Sequence, residues 1–227
     1  MKLQKETSSD RRHGRWYNDS CGTAFAMELI GERWALLIVR ELMLGPRRFS
    51  ELREQLPGIS AKVLTERLAA LEEARVLSKR VLPSPARAQV YELTDWGYRA
   101  EPILQELGRW AAASCDHNMA LPLSPVSIML SLRTMLDPRK AANQTITCAF
   151  VIGEDQFVAR LAKGAMPIAR GAADDADVIF RAPAAGALAP VFYGGAKPAE
   201  VGVAIEGDKR LAKRFIGLFG RPDKADP

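Results

Sequence analysis

The sequence predicts two folded units in one chain: a mainly α first half carrying one β-hairpin, and a smaller α+β second half. Three observations carry this reading. Residues 23–113 hold apolar side chains at three- and four-residue steps, broken only by two short alternating stretches flanking Pro83 and Pro85. From Gln144 the text changes to alternating apolar positions with many glycines and alanines, closed by one amphipathic helix over 209–219. Between the two runs SCDHNMALPLSP (114–125), which has two prolines and no period. The expected division is a flexible tail over 1–20, a first domain over 21–115, a linker over 116–125, a second domain over 126–220 and a tail over 221–227.

The first half is read element by element. Residues 23–30 form a short helix, closed by Gly31, whose missing Cβ suits a left-handed cap. Residues 34–44 form a second helix, apolar almost all round and so central to the core, stopped by Gly45-Pro46. Ser50 is expected to cap a third helix over 51–56, followed by a Pro57-Gly58 turn. Ser60 caps a fourth over 61–74, with Ile59 and Leu64 at the spacing of a hydrophobic staple. On that helix Val63, Leu64, Leu68 and Leu71 make the buried stripe, while Ala61, Lys62, Thr65, Glu66 and the amphipathic Arg67 face elsewhere. A short helix, a tight turn and a helix with small, hydroxylic and basic residues in its first turns is the pattern of a helix-turn-helix. Strands over 76–82 and 88–94, with Lys79, Arg80 and Arg87 near a proline-stiffened tip, then form a basic wing. Thr94 caps a last helix to about 113, kinked at Pro102, with Ala100, Ile103, Leu104, Leu107 and Trp110 as an apolar stripe suited to a dimer interface. Any one of these features alone is usually a solvated surface; their order makes the case for double-stranded DNA, with Arg48, Ser60, Ala61, Lys62, Thr65, Arg67, Arg80 and Arg87 as the expected contacts.

In the second half, strands are expected over 145–152, 156–162, 167–171 and 177–181. A helix over 184–193, a strand over 200–206 and the helix over 209–219 follow. A sheet covered by two or three helices is the result.

Bulk properties narrow the function without deciding it. The 227 residues are 48% hydrophobic and 26% charged, a globular balance, and the net charge of +5 permits a polyanionic partner. The first 115 residues hold 18 basic against 15 acidic side chains and the remainder 14 against 12, so only local placement can say which half meets nucleic acid. The polar N-terminus is not a signal peptide, and no apolar stretch approaches a bilayer span. Cys21, Cys115 and Cys148 lie far apart without a CxxC pair, which points to a reduced, cytoplasmic setting. No metal-type cluster, GxSxG or phosphate loop occurs, so neither catalysis nor a cofactor is expected.

Residues 21–111 resemble the HxlR-type winged helix-turn-helix family of regulators. The carrying text is Cys21, ELIGERWALLIVREL, RRFSELREQLPGISAKVLTERLAALEEARVL, VYELTDWG and Trp110. The resemblance implies a homodimeric transcription regulator on an inverted repeat. Two departures stand out: Ala74 where the family usually has glycine, and Gly22 where proline usually follows the cysteine. Some family members sense electrophiles or oxidants through that cysteine, which makes Cys21 a redox candidate, against the plainer reading of a small residue packed at a dimer contact. Cys115 and Cys148 read as packing residues.

The second half resembles the sterol carrier protein type-2 fold through ADVIFRAP, LAPVFYGGAKPAE and VGVAIEGDKRLAKRFIGLF. This implies a cavity for an apolar small-molecule effector, with Phe180, Leu188, Phe192, Tyr193, Ile216 and Phe219 as its wall; the alternative is that they fill the core. A rival to the regulator reading is a small-molecule or lipid carrier whose winged module makes protein contacts.

Overall fold

The computed structural model describes residues 16–83, 87–172 and 174–225. Its first half runs α1 (Gly22–Ile30), α2 (Ala35–Leu42), α3 (Phe49–Gln55), α4 (Ala61–Glu73), β1 (Leu77–Val81), β2 (Gln89–Leu93), α5 (Asp95–Tyr98) and α6 (Glu101–Ala112). Apolar stripes draw these together: Ile38, Val39 and Leu42 of α2 meet Leu52 of α3 and Leu64, Leu68 and Leu71 of α4, all buried. β1 and β2 form an antiparallel hairpin in which Leu77 faces Leu93 and Val81 faces Gln89. The expected tip at 84–86 lies outside the described residues.

Several local expectations change. Gly31 is right-handed (φ −75°), so its cap is not the left-handed one; the left-handed residue is Trp34 (φ 78°), and α2 therefore begins one residue later. Holding an aromatic there costs on the order of 1–3 kcal/mol, offset by the packing of its neighbours. Ser50 lies inside α3 rather than at its cap. Arg48 takes that place because Glu51, three residues on, accepts the Arg48 backbone N–H at 2.8 Å. Pro102 does not kink a continuous helix. The chain breaks at Arg99-Ala100 and restarts, leaving Pro102 in the first turn of α6, where no N–H is needed. Thr94 does cap, but caps the short α5, where its Oγ1 accepts from Gly97 N at 3.0 Å. Gly97 cannot carry a side chain, since a Cβ would stand 2.0 Å from the Val76 carbonyl oxygen. Within the expected tail, the Trp16 and Tyr17 N–H groups donate to Glu28 Oε1 at 3.4 and 3.3 Å, and residues 16–20 are exposed.

The second half runs α7 (Pro125–Met135), α8 (Pro138–Ala141), β3 (Ile146–Ile152), β4 (Asp155–Leu161), β5 (Ile168–Arg170), β6 (Val178–Ala182), α9 (Leu188–Tyr193), β7 (Ala204–Gly207) and α10 (Lys209–Ile216). The five strands lie in the order β5-β4-β3-β6-β7, antiparallel except for the parallel pair β3 and β6. The strand expected over 200–206 is shorter, because 198–201 is a 3-10 turn and Gly202 turns left-handed (φ 76°). Phe150, Phe180, Phe192, Phe215 and Phe219 interlock between sheet and helices, neighbouring rings 5.1–6.3 Å apart between centroids. Cys148 is buried in β3, where desolvation pushes its thiol well up. Cys115, expected to pack, is instead exposed past the end of α6.

One continuous apolar core spans both halves, with α7 lying against α2 and α6. The seam between them is polar. Arg47 pairs with Asp155 at 2.9 Å, and Arg170 pairs with the same carboxylate. Glu41, 1% exposed, accepts from Ser124 Oγ at 2.7 Å and from Arg40. Arg133 pairs with Glu101, and Arg109 Nη2 donates to the Thr134 carbonyl at 2.8 Å.

Candidate nucleic-acid interface

The helix-turn-helix is α3, the turn at Pro57-Gly58, and α4. Gly58 adopts φ +92°, which lets the chain reverse without a side-chain clash. Ser60 Oγ accepts from Val63 N at 3.2 Å, fixing where α4 begins. Its Leu64, Leu68 and Leu71 face inward, so Ala61, Lys62, Thr65, Glu66 and Ala69 stand in solvent on the opposite side. Lys62 reaches furthest out, its side chain 85% exposed and only 4.0 Å from Glu66 on the next turn. Thr65 Oγ1 donates to the Ala61 carbonyl at 2.9 Å, which leaves its methyl and oxygen lone pairs outward. Arg48 is exposed at the start of α3.

Arg67, expected among the DNA contacts, is placed differently from Lys62 and Thr65. It lies on the flank of α4 and folds back to Glu32 at 3.0 Å, its side chain 22% exposed, in the cleft shared with Trp16, Glu28 and Leu29. Two residues on from Thr65 is more than half a turn of helix, so a residue there cannot share the outward face.

On the hairpin, Arg80 is paired with Glu92 at 2.5 Å and Lys79 with Glu72 at 3.0 Å, so both cations are partly neutralised within the fold. Arg87 is exposed, with a left-handed backbone (φ 35°) beside the tip. The helix-to-hairpin turn keeps Ala74 right-handed and puts the left-handed conformation on Arg75 (φ 59°), which is how the chain turns without glycine at 74. Cys21 is the exposed N-cap of α1. Backbone N–H groups of Ala24 and Thr23 at that helix start pull its thiol pKa below the ordinary value.

The expected effector wall is not a cavity lining in most of its members. Phe180, Leu188, Phe192 and Phe219 are buried among other core side chains, and Ile216 packs beside them; Tyr193 alone of the six borders the apolar cavity described below. Sequence reading missed Arg47, Asp155, Arg170 and Glu41, which meet only through the fold.

Comparisons with known proteins bear on the first half. Residues 29–119 fit the family described as HxlR-like helix-turn-helix. The HTH-type transcriptional regulator YodB of Bacillus subtilis is 41% identical over 91 residues, 40% of this chain and 81% of that protein. The chain belongs to the HxlR-like helix-turn-helix family. YvaP, an HTH-type transcriptional regulator of the same organism, is 42% identical over 40% of this chain and 84% of its own length. A solved structure of the reduced form of YodB is 38% identical, covering 43% of this chain and 97% of that one, at a TM-score of 0.39. The HxlR match ends at 119, before the five-stranded sheet begins. Among the described residues no helix is long and apolar enough to cross a membrane.

Proposed function

We propose that this HxlR-type chain is a sequence-specific transcription regulator. It binds double-stranded DNA as a homodimer on an inverted repeat, and a small apolar effector held by the C-terminal half modulates it. The observation that carries the reading is the outward face of α4: Ala61, Lys62 and Thr65 are exposed over the first two turns of a capped helix whose other side is locked in the core. Small residues allow close approach to base edges, the hydroxyl and methyl suit a thymine or phosphate, and the lysine suits guanine or phosphate. Arg48 and Arg87 add cations beside it, while Arg80 must exchange Glu92 for a phosphate to contribute.

Dimerisation is supported by α6, on which Ile103, Leu107 and Trp110 are 47%, 43% and 78% exposed on one apolar face. Half-sites roughly one helical turn apart, about 34 Å, would then face the two α4 helices. The resemblance of residues 125–220 to the sterol carrier fold supports the effector role of the second half. A second reading, a thiol switch at Cys21, is favoured by the exposure of that sulfur and its lowered pKa.

The deciding experiment is a gel shift of the full chain on the intergenic DNA upstream of its own gene, with unrelated DNA as competitor. A specific shift that weakens steeply with salt is expected. Equal binding to specific and unrelated DNA, or none, would favour the carrier reading instead.

A further inference from the structure

The end of α6, the connecting segment 116–123, α7 and α9 enclose a cavity of about 420 Å3. That lies within the roughly 300–1,000 Å3 of small-molecule sites. Met135 and Ala189 form its buried wall, and Leu121 and Leu123 face them from the connecting segment while remaining 62% and 37% exposed. Apolar side chains left this open to water gain from anything apolar placed between them.

The polar or charged lining residues are Asp116, His117, Asn118, Ser131, Tyr193 and Arg221. Inside, the Tyr193 hydroxyl and Ser131 Oγ share one hydrogen bond at 2.8 Å, and burial pushes the phenol pKa up, keeping it protonated. Two hydroxyls sharing one bond retain one unused proton for a ligand acceptor. Arg221 also lines the cavity, its guanidinium touching Met119 Sδ and approached by no carboxylate of the described residues within ion-pairing distance, and opposite in sign stands the exposed Asp116.

We propose that this cavity binds an amphipathic organic acid. Its apolar body lies between Leu121, Leu123, Met135 and Ala189, and its carboxylate takes the Arg221 guanidinium and the spare hydroxyl proton of the Ser131–Tyr193 pair. This rests on the effector part of the function proposed above and supplies the chemical class and the place of the ligand. The place matters, because the C-terminal segment that carries Arg221 is tied to the end of α6. Lys224 Nζ donates to the Ala112 and Ser114 carbonyls at 3.2 and 2.6 Å, and Ala225 N donates to the Ala113 carbonyl at 2.9 Å. A ligand here therefore presses on the helix whose exposed stripe serves the dimer.

The test is calorimetric titration of the full chain, without DNA, with decanoate and with decan-1-ol. Saturable decanoate binding is expected. Arg221→Glu should weaken decanoate by about tenfold or more while leaving decan-1-ol unchanged. Leu121→Asp should weaken both, and Asp116→Asn should tighten decanoate alone. All three positions are exposed, and circular dichroism checks that each variant folds. Absence of decanoate binding, or decanoate affinity unmoved by Arg221→Glu or by Leu121→Asp, would overturn the proposal. DNA binding enters no arm, so a failed gel shift and a failed titration speak to different claims.

Discussion

Replacing Lys62 and Arg67 in turn separates a residue proposed to contact DNA from one that is paired within the fold. Lys62 is 85% exposed and its one ion pair, with Glu66 at 4.0 Å, is the kind of helix-surface contact that contributes about 0.3–0.5 kcal/mol. Lys62→Ala should leave the thermal midpoint nearly unchanged. In a dimer it removes two cations from the interface, so the slope of log affinity against log salt should become shallower by about 1.8. The affinity itself should fall on the order of tenfold per protomer. Arg67 is the opposite case: its partner Glu32 lies 3.0 Å away and the side chain is 22% exposed. Arg67→Ala should cost on the order of 1–3 kcal/mol in stability, through the lost charged hydrogen bond and packing, with the salt slope unmoved. Fluorescence anisotropy on a labelled operator across a salt series, beside chemical denaturation, measures both. A changed slope for Arg67→Ala with an unchanged one for Lys62→Ala would refute the placement of the outward face of α4.

Trp110→Arg should convert a dimer into a monomer in sedimentation velocity without lowering the protomer's melting temperature, because 78% of the side chain is already exposed. In a Cys115→Ser background, alkylation of Cys21 should rise with pH from a midpoint below that of an ordinary thiol, since the lowered pKa places more thiolate at a given pH; Cys148, buried and shifted the other way, should stay unreactive until the chain unfolds. Asp155→Ala should cost about 3 kcal/mol in denaturant midpoint terms, because it leaves Arg47 and Arg170 side by side without their shared counter-charge, and adding Arg170→Met should recover part of the loss.

What the sequence made legible was local. The stripe of Leu64, Leu68 and Leu71, the Ser60 cap and the alternation of the hairpin are set by residues within a few positions of one another, and the structure has each. The pairing of Arg67 was not legible, because a long amphipathic side chain on the flank of a helix goes wherever its partner stands, and Glu32 is in the loop between α1 and α2. Trp34 escaped because propensity speaks against a left-handed aromatic, and only packing against the core holds it there. The tie between Arg47 and Asp155 spans 108 residues and has no local signature at all. The aromatic residues of the second half were visible as apolar, but periodicity does not distinguish a filled core from a lined cavity.

That unread tie bears on how the two halves act on each other. Arg47 exchanges two backbone hydrogen bonds with Tyr91 of β2, at 2.9 and 2.8 Å, and stands next to Arg48, the N-cap of α3. Its guanidinium meanwhile reaches Asp155 at the start of β4. One residue thus joins the hairpin, the first helix of the helix-turn-helix and the five-stranded sheet. The joint is polar and largely buried: among the described residues, Arg47 Nε, Glu41 Oε2 and Arg170 Nε and Nη2 have no hydrogen-bond partner. Burial, then the like charge of Arg47, weakens the Arg170 cation. An apolar seam tolerates sliding, since one packing is nearly as good as the next. A seam of shared charges is satisfied in few arrangements, so displacement of α7 or β4 either leaves it intact or breaks it. A movement of the second half that breaks this seam would accordingly reach α3 and the hairpin as a discrete change. Asp155→Ala should therefore lower operator affinity even under conditions where the protein remains fully folded, and an unchanged affinity there would mean that the two halves are joined mechanically but not energetically.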